Sequence, residues 1–130
     1  MLIGLVGAIL VIRMFKISTK RAYEKPSKSD GYRILVDRLW PRGVSKDDAQ
    51  IDYWAKDIAP SNDLRVWFGH KPELFKEFSN KYIDELKHNP TAEDFLKIIK
   101  DKPKITLIYG AKDTNINQAQ VLLKYLNAIL

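Results

Sequence analysis

Lys104-Ile105-Thr106-Leu107-Ile108-Tyr109 is the most strand-like run of this chain, and it ends abruptly in Gly110-Ala111-Lys112-Asp113-Thr114. Its central residues are largely apolar at consecutive positions, so neither face of the strand is marked for water. A strand with one wet face alternates, whereas a strand covered on both faces, as in a parallel sheet flanked by helices, does not. Tyr32 to Asp37 repeats the pattern: Ile34-Leu35-Val36 breaks off at Asp37-Arg38 and runs into Leu39-Trp40-Pro41-Arg42-Gly43. In α/β sheets ligands are met at the carboxyl ends of strands, so the two junctions mark one expected site.

Outward from these runs the periodicities change. Phe15 to Tyr23 alternates, with Phe15, Ile17, Thr19, Arg21 and Tyr23 on one face, and predicts a half-covered strand. Glu24 to Gly31 carries Pro, Ser, Asp and Gly and reads as a loop. Ile51, Trp54 and Ile58, at i, i+3 and i+7, predict a short helix. Ser61 is a suitable N-cap for a next helix with Leu64, Trp67 and Phe68 on its apolar side. Pro72 suits the first position of a longer helix striped by Leu74, Phe75, Phe78, Tyr82 and Leu86. Thr91-Ala92-Glu93-Asp94 resembles a capping box ahead of Phe95, Leu96, Ile98 and Ile99. A final helix is expected from Asp113 or Thr114, striped by Ala119, Leu122, Leu123 and Leu126. Strand, strand, helices, strand, helix predicts a single α/β domain: a small, mostly parallel sheet with helices packed on its faces.

The 130 residues are 45% hydrophobic and 29% charged, the balance of a folded domain and not of a disordered chain. No cysteine is present, which excludes disulfides, thiolate catalysis and Cys-ligated metal centres. The net charge of +6 suits an anionic partner, either a small anion or nucleic acid, although the lysines are spread over nearly every segment. Met1 to Ile12 is apolar or glycine throughout. That is short of the ~20 residues a membrane span needs, and no basic region or cleavage pattern of a secretory signal accompanies it. Met14 therefore reads as the native start, with 1–13 as an upstream extension and 14–130 as the domain. A weak membrane anchor and an added apolar element are the rival readings.

With the two strand ends side by side, Asp37, Arg38 and Arg42 would face Tyr109, Lys112 and Asp113, and the opening N–H groups of the last helix would point into the same space. Arg42 and Lys112 suit a phosphate or carboxylate. Asp37 and Arg38 are the candidate catalytic residues, with Asp37 as acid/base or as the group that orients Arg38. Arg42, Trp40, Tyr109, Lys112, Asp113 and Asn117 are the candidate ligand contacts. The competing reading makes Asp37 the centre of an internal ion network with Arg38, Arg42 or Lys112. Trp40, Trp54 and Trp67 read first as packing. Tyr23, Gln118 and His70 stand near the site as a cap, a hydrogen-bonding group and a general base or helix cap. Two separated histidines make no zinc site, and no phosphate-loop, dinucleotide or hydrolase motif names a cofactor.

Ser29-Asp30-Gly31-Tyr32-Arg33-Ile34-Leu35-Val36-Asp37-Arg38-Leu39-Trp40-Pro41-Arg42-Gly43 closely resembles the opening motif of the YeaO-like family, a bacterial domain of unknown function. The likeness continues through Trp54, Ile58-Ala59-Pro60-Ser61 and Leu64-Arg65 to Leu107-Ile108-Tyr109-Gly110-Ala111-Lys112-Asp113-Thr114 and Asn117. It covers essentially 14–130. The resemblance implies a small cytoplasmic bacterial α/β protein and names no reaction. Gln118 stands where a histidine is expected in some relatives. Three functions are compatible with these residues: binding of, or action on, a small anionic or nucleotide-like ligand; nucleic-acid binding through the basic surface; and a structural or partner-binding role.

Overall fold

The computed structural model describes residues 16–130. Four strands, β1 (Lys16–Arg21), β2 (Tyr32–Leu35), β3 (Tyr53–Trp54) and β4 (Lys104–Tyr109), form one sheet in the order β1-β4-β2-β3. Every pairing is parallel, with Ile17 beside Ile105 and Ile34 beside Leu107. The expected neighbours β2 and β4 are therefore adjacent. Five α-helices follow in chain order: α1 (Lys46–Ala49), α2 (Asn62–Phe68), α3 (Phe75–His88), α4 (Ala92–Lys100) and α5 (Gln118–Ile129). The expectation for 1–13, and those for Met14 and Phe15, lie outside the described residues.

The doubly apolar β4 is buried from Ile105 to Tyr109, but its two faces meet different partners. Ile105, Leu107 and Tyr109 join Ile34 and Val36 under the four longer helices. The stripe Phe78, Tyr82 and Leu86 of α3, Phe95 and Ile99 of α4, and Leu122 and Leu126 of α5 close this core. Phe68 stacks on Phe78 with ring centres 4.2 Å apart. On the other face, Leu35 and Ile108 pack with Ala22, Trp40, Ile51 and Trp54, all outside the long helices.

That second face also holds buried charge. Arg33 (3% exposed) donates from Nη1 to Asp30 (6% exposed) at 2.6 Å, and its Nε and Nη2 reach the carbonyl of Ala49 at the end of α1. Lys20 Nζ lies 3.1 Å from the same carboxylate, and Thr106 Oγ1 donates to the Asp30 carbonyl at 2.6 Å. Burial alone would raise the Asp30 pKa. Hydrogen bonds from the Ser27 backbone, Lys20 and Arg33 reverse that and hold it below the usual carboxylate value. Gly31 brings this corner onto β4: its φ is +66°, and a Cβ there would meet the Lys104 carbonyl oxygen at 2.5 Å.

Three local expectations are corrected. Ile51, Trp54 and Ile58 do not share a helix face. Asp52 N bonds Arg33 O and Ala55 N bonds Leu35 O, so 52–55 serves the open edge of β2 as a strand, and a 3₁₀ turn (Lys56–Ile58) follows. Trp54 then belongs to one sheet face and Ile58 to the other. Thr91 is no capping residue, because Asn89 Oδ1 accepts from both its N–H and its hydroxyl. The last helix starts at Gln118, since Asp113 Oδ1 first binds the N–H groups of Asn115 and Ile116 in the loop. Asn117 is the cap, accepting from Gln120 N at 3.1 Å. The cap predicted at Ser61 is in place, whereas Pro72 opens a 3₁₀ turn (Pro72–Leu74) and the longer helix itself starts at Phe75.

Arg33→Ala removes the nearest cation from a buried carboxylate, and a loss of about 3–5 kcal/mol in unfolding free energy is expected. Lys97→Ala, which deletes an exposed pair with Glu93 at 3.9 Å, is expected to leave the urea midpoint in place. Urea denaturation of both variants checks the contrast.

Candidate functional site

β2 and β4 stop side by side, and the segments that leave them part around a cleft of about 240 Å³. Asp37 lies at its inner wall. Its Oδ2 accepts from Gly110 N at 2.8 Å and its Oδ1 from the Gln118 side-chain amide, so one carboxylate staples the end of β2 to the loop after β4 and to the first residue of α5. The approach is close, since a Cβ at Gly110 would lie 3.0 Å from Oδ2. Burial raises the Asp37 pKa to about 6; the two hydrogen bonds pull it back only in part. No cation pairs with Asp37 among the described residues, so the competing reading of an internal ion network is not met.

Arg38 turns to the chain beyond β3, donating from Nε to Pro60 O at 2.9 Å and from Nη2 to Ala59 O at 3.2 Å. Trp40 is half-buried. Its indole donates to Val44 O at 2.6 Å, and its ring meets Trp54 edge-on at 5.5 Å. The Trp54 indole in turn holds the carbonyl of Asp37 at 2.8 Å. Tyr23 crosses from the end of β1 and donates its hydroxyl to Arg42 O at 2.9 Å, which leaves the exposed Arg42 guanidinium free of the main chain. Across the cleft stand Arg65 and Phe68 of α2, and His70, which follows Gly69 in a second left-handed conformation.

Asp37, Arg38, Trp40 and Arg42 thus line one cleft, as the sequence reading has it. The other four candidates do not reach it. Tyr109 points into the helix-side core, only 2% exposed, and burial raises its pKa. Asn117 is fully buried as the α5 cap. Lys112 and Asp113 are exposed on the loop outside; the N–H groups of Ile116 and Asn115 lower the Asp113 pKa. The late start of α5 is the common reason for Lys112, Asp113 and Asn117, because Gln118 takes the place expected for the loop. The cleft also recruits Tyr23, Leu39, Arg65, Phe68, His70, Phe78 and Gln118. Tyr23, Gln118 and His70 carried a sequence signal as polar groups at element ends. Arg65 and Phe68 arrive through the docking of α2, which no local pattern announces.

A family model described as the inactive DUF488-N3 subclade matches residues 16–130. The chain belongs to this family. It is 42% identical over 113 residues to the uncharacterized protein YeaO of Escherichia coli K12, covering 87% of this chain and 98% of that protein. It is 38% identical over 117 residues to an uncharacterized protein of Mycobacterium tuberculosis H37Rv, covering 90% and 98%. No solved structure matches the chain. The family match spans the whole of the described sheet and every residue named in the cleft. No helix among the described residues is long and apolar enough to cross a membrane.

The raised Asp37 pKa has a definite sign in stability. With a folded value of about 6 and an unfolded value near 3.8, the folded protein binds the proton first as pH falls. This site therefore adds stability between pH 6 and pH 4, by up to about 3 kcal/mol, and adds none as pH rises above 6. Asp37→Asn keeps an acceptor for Gly110 N and a partner for a flipped Gln118 amide, so it should fold, gain stability at pH 7 and lose this pH response. Thermal unfolding of the native and Asp37→Asn proteins from pH 4 to pH 7 measures the difference.

Proposed function

We propose that this domain binds a small anionic, nucleotide-like or similar ligand in the cleft at the carboxyl ends of β2 and β4. The observation that carries this reading is the charge of the lining: Arg38, Arg42 and Arg65 face one carboxylate, Asp37, and none of the three arginines forms a salt bridge among the described residues. Guanidinium groups suit phosphate and carboxylate because their planar donors match those oxygens in pairs. Trp40 and Tyr23 add flat apolar surface at the rim. The cleft volume of about 240 Å³ suits a small ligand.

Binding is favoured over chemistry by two features. Asp37, the candidate acid/base, already holds two protein donors, and Arg38 is turned to the Ala59 and Pro60 carbonyls. The description of the matching subclade as inactive supports the same preference.

Isothermal titration of the full chain with inorganic phosphate, a nucleoside monophosphate and a phosphosugar tests the reading. At least one is expected to bind, and Arg42→Ala and Arg65→Ala, both at exposed positions, are expected to weaken it by roughly 10- to 100-fold without unfolding the protein. Absence of binding across the panel overturns the proposal. Binding to a DNA or RNA probe alone, falling steeply with salt, overturns it in favour of a nucleic-acid module.

A further inference from the structure

Resting on the anion-binding reading, we infer that the ligand also carries a positively charged or multiply hydrogen-donating group, such as an ammonium or amidine, and that Asp37 receives it. The argument starts from acceptor capacity. An ionised carboxylate accepts about four hydrogen bonds. The protein supplies Asp37 with two, from Gly110 N and the Gln118 amide, and both donors are neutral. The carboxylate nevertheless lines the cleft. Its negative charge is partly buried, and no lysine, arginine or histidine balances it among the described residues.

Asp30 shows how this chain treats a buried carboxylate that serves only the fold. It receives Lys20 at 3.1 Å and Arg33 at 2.6 Å, and its pKa falls below the ordinary value. Asp37 is partly buried in a cleft whose arginines turn elsewhere, Arg38 to main-chain carbonyls and Arg65 to Asn62 Oδ1 at 2.7 Å. A purely anionic ligand would place like charge beside Asp37 and meet repulsion that grows as water leaves the cleft. A ligand with both signs of charge meets the arginines with one end and the carboxylate with the other. Asp37 is then the element of the site that selects against simple anions.

The test uses a series of ω-aminoalkyl phosphates of two to four carbons against alkyl phosphates of the same length, titrated into the full chain at pH 7.5. At one chain length or more the amino compound is expected to bind at least about 10-fold tighter than its partner. Asp37→Asn should abolish that preference and leave the alkyl phosphate bound as well or better, a gain that a merely structural role would not produce. The Asp37 carboxyl ¹³C resonance of the native protein keeps the question open to refutation if the variant does not fold. Its pKa should fall on saturation with the amino compound and rise with the alkyl phosphate. Equal affinities within every pair, or an Asp37 pKa that moves alike with both, overturn the inference while loss of both on Arg42→Ala leaves the anion site standing. Failure of every phosphate to bind overturns the anion site itself, and the inference with it.

Discussion

A parallel sheet needs cover on both faces, and the described residues bring long helices to only one. The side of Ile34, Ile105 and Leu107 receives α2 to α5 and a continuous apolar core. The opposite side is covered by the segments that join the strands, and these must be held down by means other than helix packing. At one end the means is charge: Arg33, pointing from β2 into that layer, grips Asp30 and the carboxyl end of α1. At the other end it is aromatic surface, with Trp40 against Trp54 over Leu35 and Ile108. The segment from Asp37 to Arg42 is shaped by this second anchor. The cleft exists because that segment is drawn onto the sheet by Trp40 while α2 stands on the far side.

The legible parts of the fold were those in which one side-chain pattern decides one element. β4 is apolar at consecutive positions, and the stripes of α3 and α5 recur every three or four residues. Both patterns survive because burial enforces them along the whole element. The 51–58 segment misled because three apolar residues at helical spacing can equally serve two sheet faces, and only the open edge of β2 decides between them. The start of α5 misled because Asp113 is a good cap by composition. Its carboxylate satisfies a turn of its own, and the buried Asn117 takes the cap four residues later.

The site follows the same division. Asp37, Arg38, Trp40 and Arg42 were legible because they lie on one segment, so one strand end positions them all. Tyr109 was misplaced by a single step of strand alternation: next to a turn that lines the cleft, it still belongs to the helix-side face. Lys112, Asp113 and Asn117 were misplaced by the late helix. Arg65 required knowledge of where α2 docks, which depends on Phe68 stacking on Phe78.

The buried Asp30 and the partly buried Asp37 differ in what surrounds them. Asp30 and Asp37 bracket β2, seven positions apart, and each ties that strand to another part of the chain. Asp30 is surrounded by cations and main-chain donors and is stabilised as an anion. Asp37 does similar mechanical work with two neutral donors, so the staple between β2, Gly110 and α5 is bought with a charge that folding leaves unbalanced. A neutral asparagine could make the same connections without that penalty. A carboxylate kept where a neutral amide would fit is what the proposed recognition of a cationic ligand group predicts at this position.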